Sequence, residues 1–445
     1  MTGYEKIKQL AKKNHCNIAD LLVLAKQNDP FFVGSETSKV MAEWFAGLWN
    51  ELGYTTGVHL RRFHYQLVSQ GEAKKHNGKP YENTINDWNY LCMAGKYARH
   101  LGLIDPEAFI DRRNPEPHIF RIEGDNYEPS WNYNFLPWEL PVINTQLTEV
   151  NNWRLPAVYP VGYEYDESLQ PYHLEIWIEK STMDDVLIPL CEQLSINLVT
   201  GIGFMSITSV VDLLKRVSDK PCRIFYISDF DPAGNGMPKA VARQIEYYLE
   251  KYAPGADIKL NPIALTREQV ESYQLPRIPI KDSDKRKGHF EERYGEGAVE
   301  LDAIEALYPG ELANIVIGNV IQFRDEKLEE EIEKAKEEAE DELNWWWEEH
   351  IRPYQNQLDE LKSIYNSIEQ KYQVKLEELK KEMDEETARY KKEVISLWQA
   401  IQKELDELAL DLPELPEGKT ILEDDNWLYD SIRDYFEQLE YYKVG

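Results

Sequence analysis

Hydrophobic and polar positions follow two different periods along this chain, and the period changes near residue 170. Before it, apolar positions recur every three or four residues, which predicts helices at 37–52, 60–70 and 85–101. After it, short apolar runs alternate with amphipathic segments. The runs predict strands at 173–179, 196–200, 222–228 and 258–265, and the segments between them predict helices at 183–194, 206–217 and 239–252. Strands and helices that alternate at this spacing indicate a parallel α/β sheet.

The last quarter of the chain has a third pattern, rich in Glu, Lys and Leu. Apolar residues keep a three-four spacing in two runs that are out of phase, and Pro353 separates an earlier helix from the first run. A long helical hairpin or coiled coil is predicted, with its charges on a solvated face around an apolar seam. Dimerisation or spacing is the simpler role for it, and binding a partner or mimicking DNA are alternatives.

The boundaries between these patterns divide the chain into six segments. We predict an N-terminal helical segment at 1–34, a three-helix domain at 35–125, a connecting region at 126–170, an α/β domain with an extension at 171–322, an acidic coiled coil at 323–411 and a C-terminal tail at 412–445.

Charge is distributed unevenly over the 445 residues. The net charge is −30, but residues 321–445 hold 17 Lys and Arg against 36 Asp and Glu, so most of the acidity lies in the tail. Within 55–100 the sign reverses, and the basic residues fall on the second and third predicted helices and between them. Three short helices with such a patch are typical of a helix-turn-helix or winged-helix module that binds DNA.

Several function classes are excluded by the sequence. The chain has no apolar stretch long enough to span a membrane and no phosphate-binding P-loop motif, and residues 1–16 lack the apolar core expected of a secretory signal. The four cysteines are scattered without zinc-ligand spacing, which is typical of reduced thiols. We expect a cytoplasmic protein without a membrane partner, zinc or disulfides.

Three carboxylates are predicted to meet at one edge of the sheet. Glu179 ends the first strand of the α/β domain, and Asp229 and Asp231 follow the third strand in the sequence DFDPAG. If these strands are neighbours, their carboxyl ends meet where ligands bind in α/β sheets. Carboxylate oxygens suit Mg²⁺, with Mn²⁺ as an alternative, and such an ion stabilises charge on a phosphodiester. The D-x-D-P-x-G motif alone is more typical of a surface turn than of a metal site, and the Gly201–Gly203 pair is as typical of a tight turn as of a phosphate cradle.

The sequence resembles a known family at these positions. LEIWIEK (174–180), TGIGFMSIT (200–208) and FYISDFDPAGNG (225–236) resemble the Toprim domain of topoisomerase VI A subunits and of the meiotic double-strand-break transesterase. LTREQVESYQLPRIPIKDSD (265–284) and GAVELDAIEALYPGEL (297–312) resemble the extension found in bacterial members. The resemblance implies a Toprim Rossmann-like sheet after an N-terminal winged-helix (CAP-like) domain, and a homodimer that cleaves double-stranded DNA.

The resemblance also implies a nucleophile on the second helix. In HLRRFHYQLV (59–68), Tyr65 matches the family's nucleophilic tyrosine and Arg61 its preceding arginine. Helix geometry is consistent with this, since Tyr65 lies about 140° from the apolar stripe residue Leu60, on the basic face. His64 lies near the stripe and is interpreted as a partly buried helix residue. Tyr65 could instead contact a phosphate without reacting, and Lys180 is either a phosphate ligand or a surface residue.

Together these features predict Mg²⁺-dependent DNA cleavage in which Tyr65 forms a phosphotyrosyl link. Glu179, Asp229 and Asp231 are the expected metal ligands, and strand passage would need a separate ATPase partner. A hydrolytic Toprim nuclease of a defence complex is the second hypothesis. A non-catalytic DNA-binding adaptor that acts through its coiled coil is the third.

Overall fold

The computed structural model describes residues 2–110, 114–121, 128–134, 138, 153–217, 220–372, 380–419 and 426–444. The helices are α1 (Gly3–Lys13), α2 (Glu36–Glu51), α3 (Leu60–Gln70), α4 (Ile85–His100), α5 (Asp184–Leu194), α6 (Ile207–Arg216), α7 (Met237–Tyr252), α8 (Arg267–Ser272), α9 (Lys287–Tyr294), α10 (Asp302–Leu307), α11 (Glu311–Val320), α12 (Leu328–His350), α13 (Gln355–Tyr372), α14 (Lys380–Asp406) and α15 (Tyr435–Val444). The strands are β1 (Ser130–Asn134), β2 (Ala157–Val161), β3 (His173–Ile178), β4 (Asn197–Thr200), β5 (Cys222–Ile227), β6 (Ile258–Ala264) and β7 (Tyr429–Asp430).

The chain forms two compact units. The first contains residues 1–123, 170–325 and 419–445, and the second contains 124–169 and 326–418. Each unit is therefore built from segments that are distant in sequence. None of the helices in the described part of the chain has both the length and the apolar character that crossing a bilayer requires.

A five-stranded sheet forms the centre of the first unit, with strand order β4-β3-β5-β6-β7. The first four strands are parallel, as the alternating pattern predicts, and β7 pairs antiparallel with β6. Every residue of β3 and β5 is buried, because helices cover both faces of the sheet. Strands β3 and β5 are direct neighbours, so their carboxyl ends lie side by side.

Alternate residues of β3 enter different cores. Ile176 and Ile178 pack on one face with residues of α5, α10 and α11, and Trp177 packs on the other with residues of α1, α6, α7 and α15. The predicted C-terminal tail therefore contributes a strand and a helix to the first unit. The buried Arg243 ties the segments of this face together, since it bonds to Asp29 and to the Tyr435 hydroxyl, each at 3.1 Å.

Helices α2, α3 and α4 occupy the three positions predicted for them and pack around their own apolar core. Phe45, Trp49 and Phe63 form its aromatic centre. Between α3 and α4 the chain makes a short antiparallel bridge from Lys74 to Pro80. The Arg99 guanidinium on α4 donates to Thr208 on α6 at 2.8 Å, which links the three helices to the sheet within the same unit.

The second unit combines helices α12, α13 and α14 with the antiparallel pair β1–β2. The predicted helix break at Pro353 is present, since α12 ends at His350 and α13 begins at Gln355. The core of this unit contains three buried tryptophans, Trp138, Trp153 and Trp346, rather than aliphatic residues alone. The region predicted as a connection therefore supplies part of this unit's core, because Trp153 belongs to it.

Candidate metal centre

The carboxyl ends of β3 and β5 carry the acidic residues that the sequence predicts there. Glu179 follows the last residue of β3, and Ser228 and Asp229 follow β5. The Asp229 N–H donates to the Glu179 Oε2 at 3.1 Å. The parallel register of two buried strands therefore brings two of the three predicted metal ligands into direct contact.

Glu179 is in an environment that disfavours its negative charge. Burial raises the pKa of its carboxyl to about 7, and the nearby charges of Asp229 and Asp231 add to the effect. All three predicted ligands are therefore close enough for their charges to interact.

Asp231 forms a turn as well as contributing charge. Its Oδ1 accepts from the Ala233 N–H at 2.8 Å and from the Gly234 N–H at 2.6 Å. This is the Asx-type turn that the D-x-D-P-x-G motif predicts. The structure therefore shows the turn, and the role of Asp231 as a metal ligand stays a prediction.

Two further acidic residues, Glu300 and Asp302, lie at the same centre. Together with Asp229 they place one carboxylate oxygen each within 4.8 Å of one another, a group that could hold a metal ion. The sequence prediction did not include Glu300 or Asp302. In the sequence, the only signal for these two residues is the E-L-D spacing within 297–312, the segment that resembles the bacterial extension.

A long-range backbone contact positions these two residues. Phe230 and Val299 form an isolated antiparallel bridge. Next to it, the Leu301 N–H donates to the Asp229 Oδ1 at 2.7 Å. Because Glu300 and Asp302 flank Leu301, this hydrogen bond holds them beside the end of β5.

Lys180 lies among the acids of this centre. Its Nζ is 2.7 Å from Asp229, 2.7 Å from Glu300 and 2.9 Å from Asp302. Burial disfavours the ammonium charge, but the hydrogen bonds to these carboxylates outweigh it and raise the pKa of Lys180. Lys180 is thus neither a simple surface residue nor directed at an external phosphate, because its ammonium group neutralises the acidic cluster.

The donor set is suited to a hard divalent cation. Asp229, Glu300 and Asp302 offer carboxylate oxygens only, and Glu179 and Asp231 add two more carboxylates nearby. Oxygen donors in this number are typical of magnesium, manganese or calcium rather than of zinc. A bound cation would take over the neutralising role of Lys180.

Tyr65 and Arg61 lie on α3, which belongs to the three-helix core. The Tyr65 side chain is 51% exposed, in agreement with its predicted place on the polar face of the helix. The Arg61 guanidinium lies 5.1 Å from the centre of the Trp88 ring. Within the described residues, no hydrogen bond or ring contact joins Tyr65 to the acidic cluster of the same chain.

His64 is buried beside Tyr65. Its Nδ1 lies 2.6 Å from the Tyr81 hydroxyl, and its Nε2 lies 3.2 Å from the Asn83 Oδ1. Both ring nitrogens therefore have partners, which agrees with the prediction of a helix residue rather than a general base. The histidine fixes the start of α4 against α3 and so supports the face that carries Tyr65.

Comparison of the sequence with protein-family models and with curated proteins gives no match.

Proposed function

We propose that this chain is a Mg²⁺-dependent DNA-cleaving protein of the topoisomerase VI A type, with a winged-helix module at α2–α4 and a Toprim sheet. The observation that carries the proposal is the convergence of Glu179, Asp229, Glu300 and Asp302 at the carboxyl edge of a parallel sheet. Ligands bind at this edge of α/β sheets, and carboxylates there can hold a divalent ion, which stabilises the charge that develops in phosphoryl transfer.

In this proposal the acids hold the ion, and Tyr65 carries the covalent step. Asp229, Glu300 and Asp302 would bind Mg²⁺, with Glu179 and Asp231 completing the centre. The ion supplies stabilisation of the negative charge on the scissile phosphate. The Tyr65 phenol oxygen forms a bond to phosphorus and loses its proton, while the bond from phosphorus to the leaving deoxyribose oxygen breaks and that oxygen gains a proton.

Exposed basic residues near Tyr65 support DNA as the substrate. Arg61 and Arg62 flank Tyr65 on α3 and are exposed, and Lys74 and Lys79 are exposed on the adjoining bridge. Cationic groups in this arrangement bind phosphates of a duplex and position it. The chain's negative charge lies mainly elsewhere, in the segment that contains α12–α14.

The contacts of Tyr65 support a homodimer. A tyrosine with no contact to the acidic cluster of its own chain, among the described residues, is what a shared site requires, in which one subunit's tyrosine works with the other's acids. Two such sites would cut both strands. Strand passage would require a separate ATPase subunit, since the sequence has no P-loop.

The pKa of Glu179 favours a second candidate, a hydrolytic Toprim nuclease. A carboxyl with a pKa of about 7 can accept a proton from water near neutral pH, as a general base does. In that case Tyr65 would only contact a phosphate.

Incubation with supercoiled plasmid and Mg²⁺, followed by denaturation with and without protease, tests the proposal. We expect protein-linked DNA from the wild type and from Tyr159→Phe, a control at another exposed tyrosine, but not from Tyr65→Phe. Asp229→Asn should abolish all cleavage. Cleavage without adducts that survives Tyr65→Phe would replace the transesterase by the nuclease. Absence of cleavage in every sample would leave only a DNA-binding adaptor.

A further inference from the structure

A cavity of about 720 Å³ lies in the first unit, between the three-helix core and helices on one face of the sheet. Helices α3 and α4 line one side of it, and the first turn of α6 and the first half of α7 line another. The volume falls within the roughly 300–1,000 Å³ that small-molecule sites occupy. The five carboxylates of the acidic centre all belong to the described residues, and none of them lines this cavity, so the two sites are distinct.

Most of the cavity wall is apolar. Side chains from several segments meet there, namely Leu24, Leu60, Phe109, Phe204, Met205 and Ile207. Phe204 is exposed even though it lines the cavity, so apolar surface at this wall remains in contact with solvent. Burial of such surface by a ligand is favourable, which suits an apolar molecule.

The charged residues of the wall are all basic. Among the described residues that line the cavity there is no Asp or Glu, in a chain whose net charge is −30. Two of the three cations are held by other protein groups. The Arg99 guanidinium donates to the Pro106 carbonyl oxygen at 2.6 Å. Arg286 pairs with Asp284 at 2.7 Å. Recognition of a charged ligand therefore depends on the third cation, Lys96.

Lys96 brings a positive charge to the wall without a carboxylate beside it. Its Nζ donates to the Gln27 carbonyl oxygen at 2.6 Å and lies 3.3 Å from the Asn28 Oδ1. Asn28 also lines the cavity, so the ammonium group is located at the wall. Both acceptors are neutral, and no Asp or Glu in the described part of the chain forms an ion pair with Lys96. An ammonium group has three N–H donors, so one remains for a ligand.

Burial lowers the pKa of Lys96 to about 8. Since the charged form of the side chain is disfavoured at this wall, an anion bound beside the ammonium group would offset part of the cost of burying it. A small hydrophilic anion would use the ammonium group but leave the apolar wall uncovered. An uncharged hydrocarbon would cover the wall and leave the charge unpaired.

We propose that this cavity binds a monocarboxylate with an apolar chain, with its carboxylate at Lys96 and its chain against the apolar wall. Such a molecule uses both features of the wall. Its single negative charge matches the one cation of the wall that is bonded only to neutral groups near α4. The ligand is not DNA, and the proposal does not depend on the proposed cleavage.

Equilibrium dialysis of the intact protein with radiolabelled decanoate, octanoate and octan-1-ol, near neutral pH, tests the assignment. A metal chelator in the buffer removes divalent ions that could hold a carboxylate at the acidic centre. We expect saturable binding of one decanoate per chain. Octanoate should bind about tenfold more weakly, because two fewer CH₂ groups are buried. Octan-1-ol has a chain of the same length without the charge, and it should bind about tenfold more weakly than octanoate.

Two variants test the charge and the apolar wall separately. In Lys96→Met, octanoate should bind no more tightly than octan-1-ol, because the ammonium group is absent. Ala240→Leu enlarges a buried side chain of the wall and changes no charge, and it should lower the affinity for decanoate about tenfold or more. Lys39→Met is the matched control, at a half-buried lysine of α2 outside the cavity, and should keep the wild-type affinity.

Two results with the wild type alone would overturn the proposal, whatever the variants do to folding. One is the absence of saturable binding up to about 1 mM decanoate. The other is binding of octan-1-ol as tight as that of octanoate. Wild-type affinity for decanoate in both Lys96→Met and Ala240→Leu would also overturn it, since the ligand would then bind elsewhere.

Discussion

Glu179→Gln should stabilise the metal-free protein, by an amount that grows with pH. The substitution keeps an oxygen that accepts from the Asp229 N–H and removes the charge that burial and the neighbouring aspartates disfavour. Ionisation of Glu179 destabilises the folded state, so removing its charge should increase the free energy of unfolding.

The size and sign of the effect follow from the pKa. In the folded chain the pKa of Glu179 is about 7, raised from 4.5, so the folded state holds a proton that the unfolded state has already lost. Stability from this group is present below the unfolded pKa and is lost as pH rises through 7. Between about pH 5.5 and pH 8 the wild type should lose up to about 2 kcal/mol relative to the Gln variant, with no further change above pH 8.

Urea denaturation in a metal chelator across this pH range provides the measurement. Glu250→Gln, at an exposed glutamate of α7 outside the acidic centre, is the matched control for the same chemical change. With added Mn²⁺ the wild type should become more stable than Glu179→Gln. An ion stabilises the folded state only as far as it binds that state, and the wild type keeps the carboxylate at residue 179. A difference between Glu179→Gln and wild type that does not grow between about pH 5.5 and pH 8 would refute the account of this carboxyl.

Three other substitutions test the charge balance and the packing of the first unit. Lys180→Met should lower stability in chelator by about 1–2 kcal/mol, since three carboxylates lose a common partner, and Mn²⁺ should restore more stability than in wild type. Gly234→Ala should remove metal-dependent stabilisation, because its Cβ would lie 2.1 Å from the Asp229 carbonyl oxygen; Gly236→Ala, with 3.4 Å to the nearest atom, should retain it. Arg243→Met should cost about 3–5 kcal/mol in urea denaturation, since it leaves buried carboxylates unpaired.

The sheet could be predicted from sequence because its strands are buried on both faces. β3 and β5 appear as short, mainly apolar runs, with Glu175 and Arg223 as their charged positions, and the helices between them have a clear stripe. The two-stranded pair β1–β2 was not predicted. Its strands are short and half-exposed, and 22 residues separate Asn134 from Ala157, so no local pattern marks their pairing.

The difference between local patterns and pairings of distant segments also explains which residues of the site could be predicted. Glu179, Asp229 and Asp231 directly follow strands, so their position at the sheet edge follows from the strand pattern. Glu300 and Asp302 reach that edge through the bridge between Phe230 and Val299, a pairing over about seventy residues that leaves no periodic signal. The roles of Lys180 and of the C-terminal segment depend on equally distant contacts.

Two features reduce the charge repulsion among the carboxylates of the acidic centre when no metal ion is bound. Lys180 supplies one positive charge to Asp229, Glu300 and Asp302, and the raised pKa of Glu179 allows it to hold a proton near neutral pH. Both reduce the repulsion that would otherwise separate the loops after β3 and β5 from the start of α10. A divalent ion bound here would supply two positive charges at the same place. We therefore expect a bound ion to take over the roles of the lysine ammonium group and of the proton on Glu179.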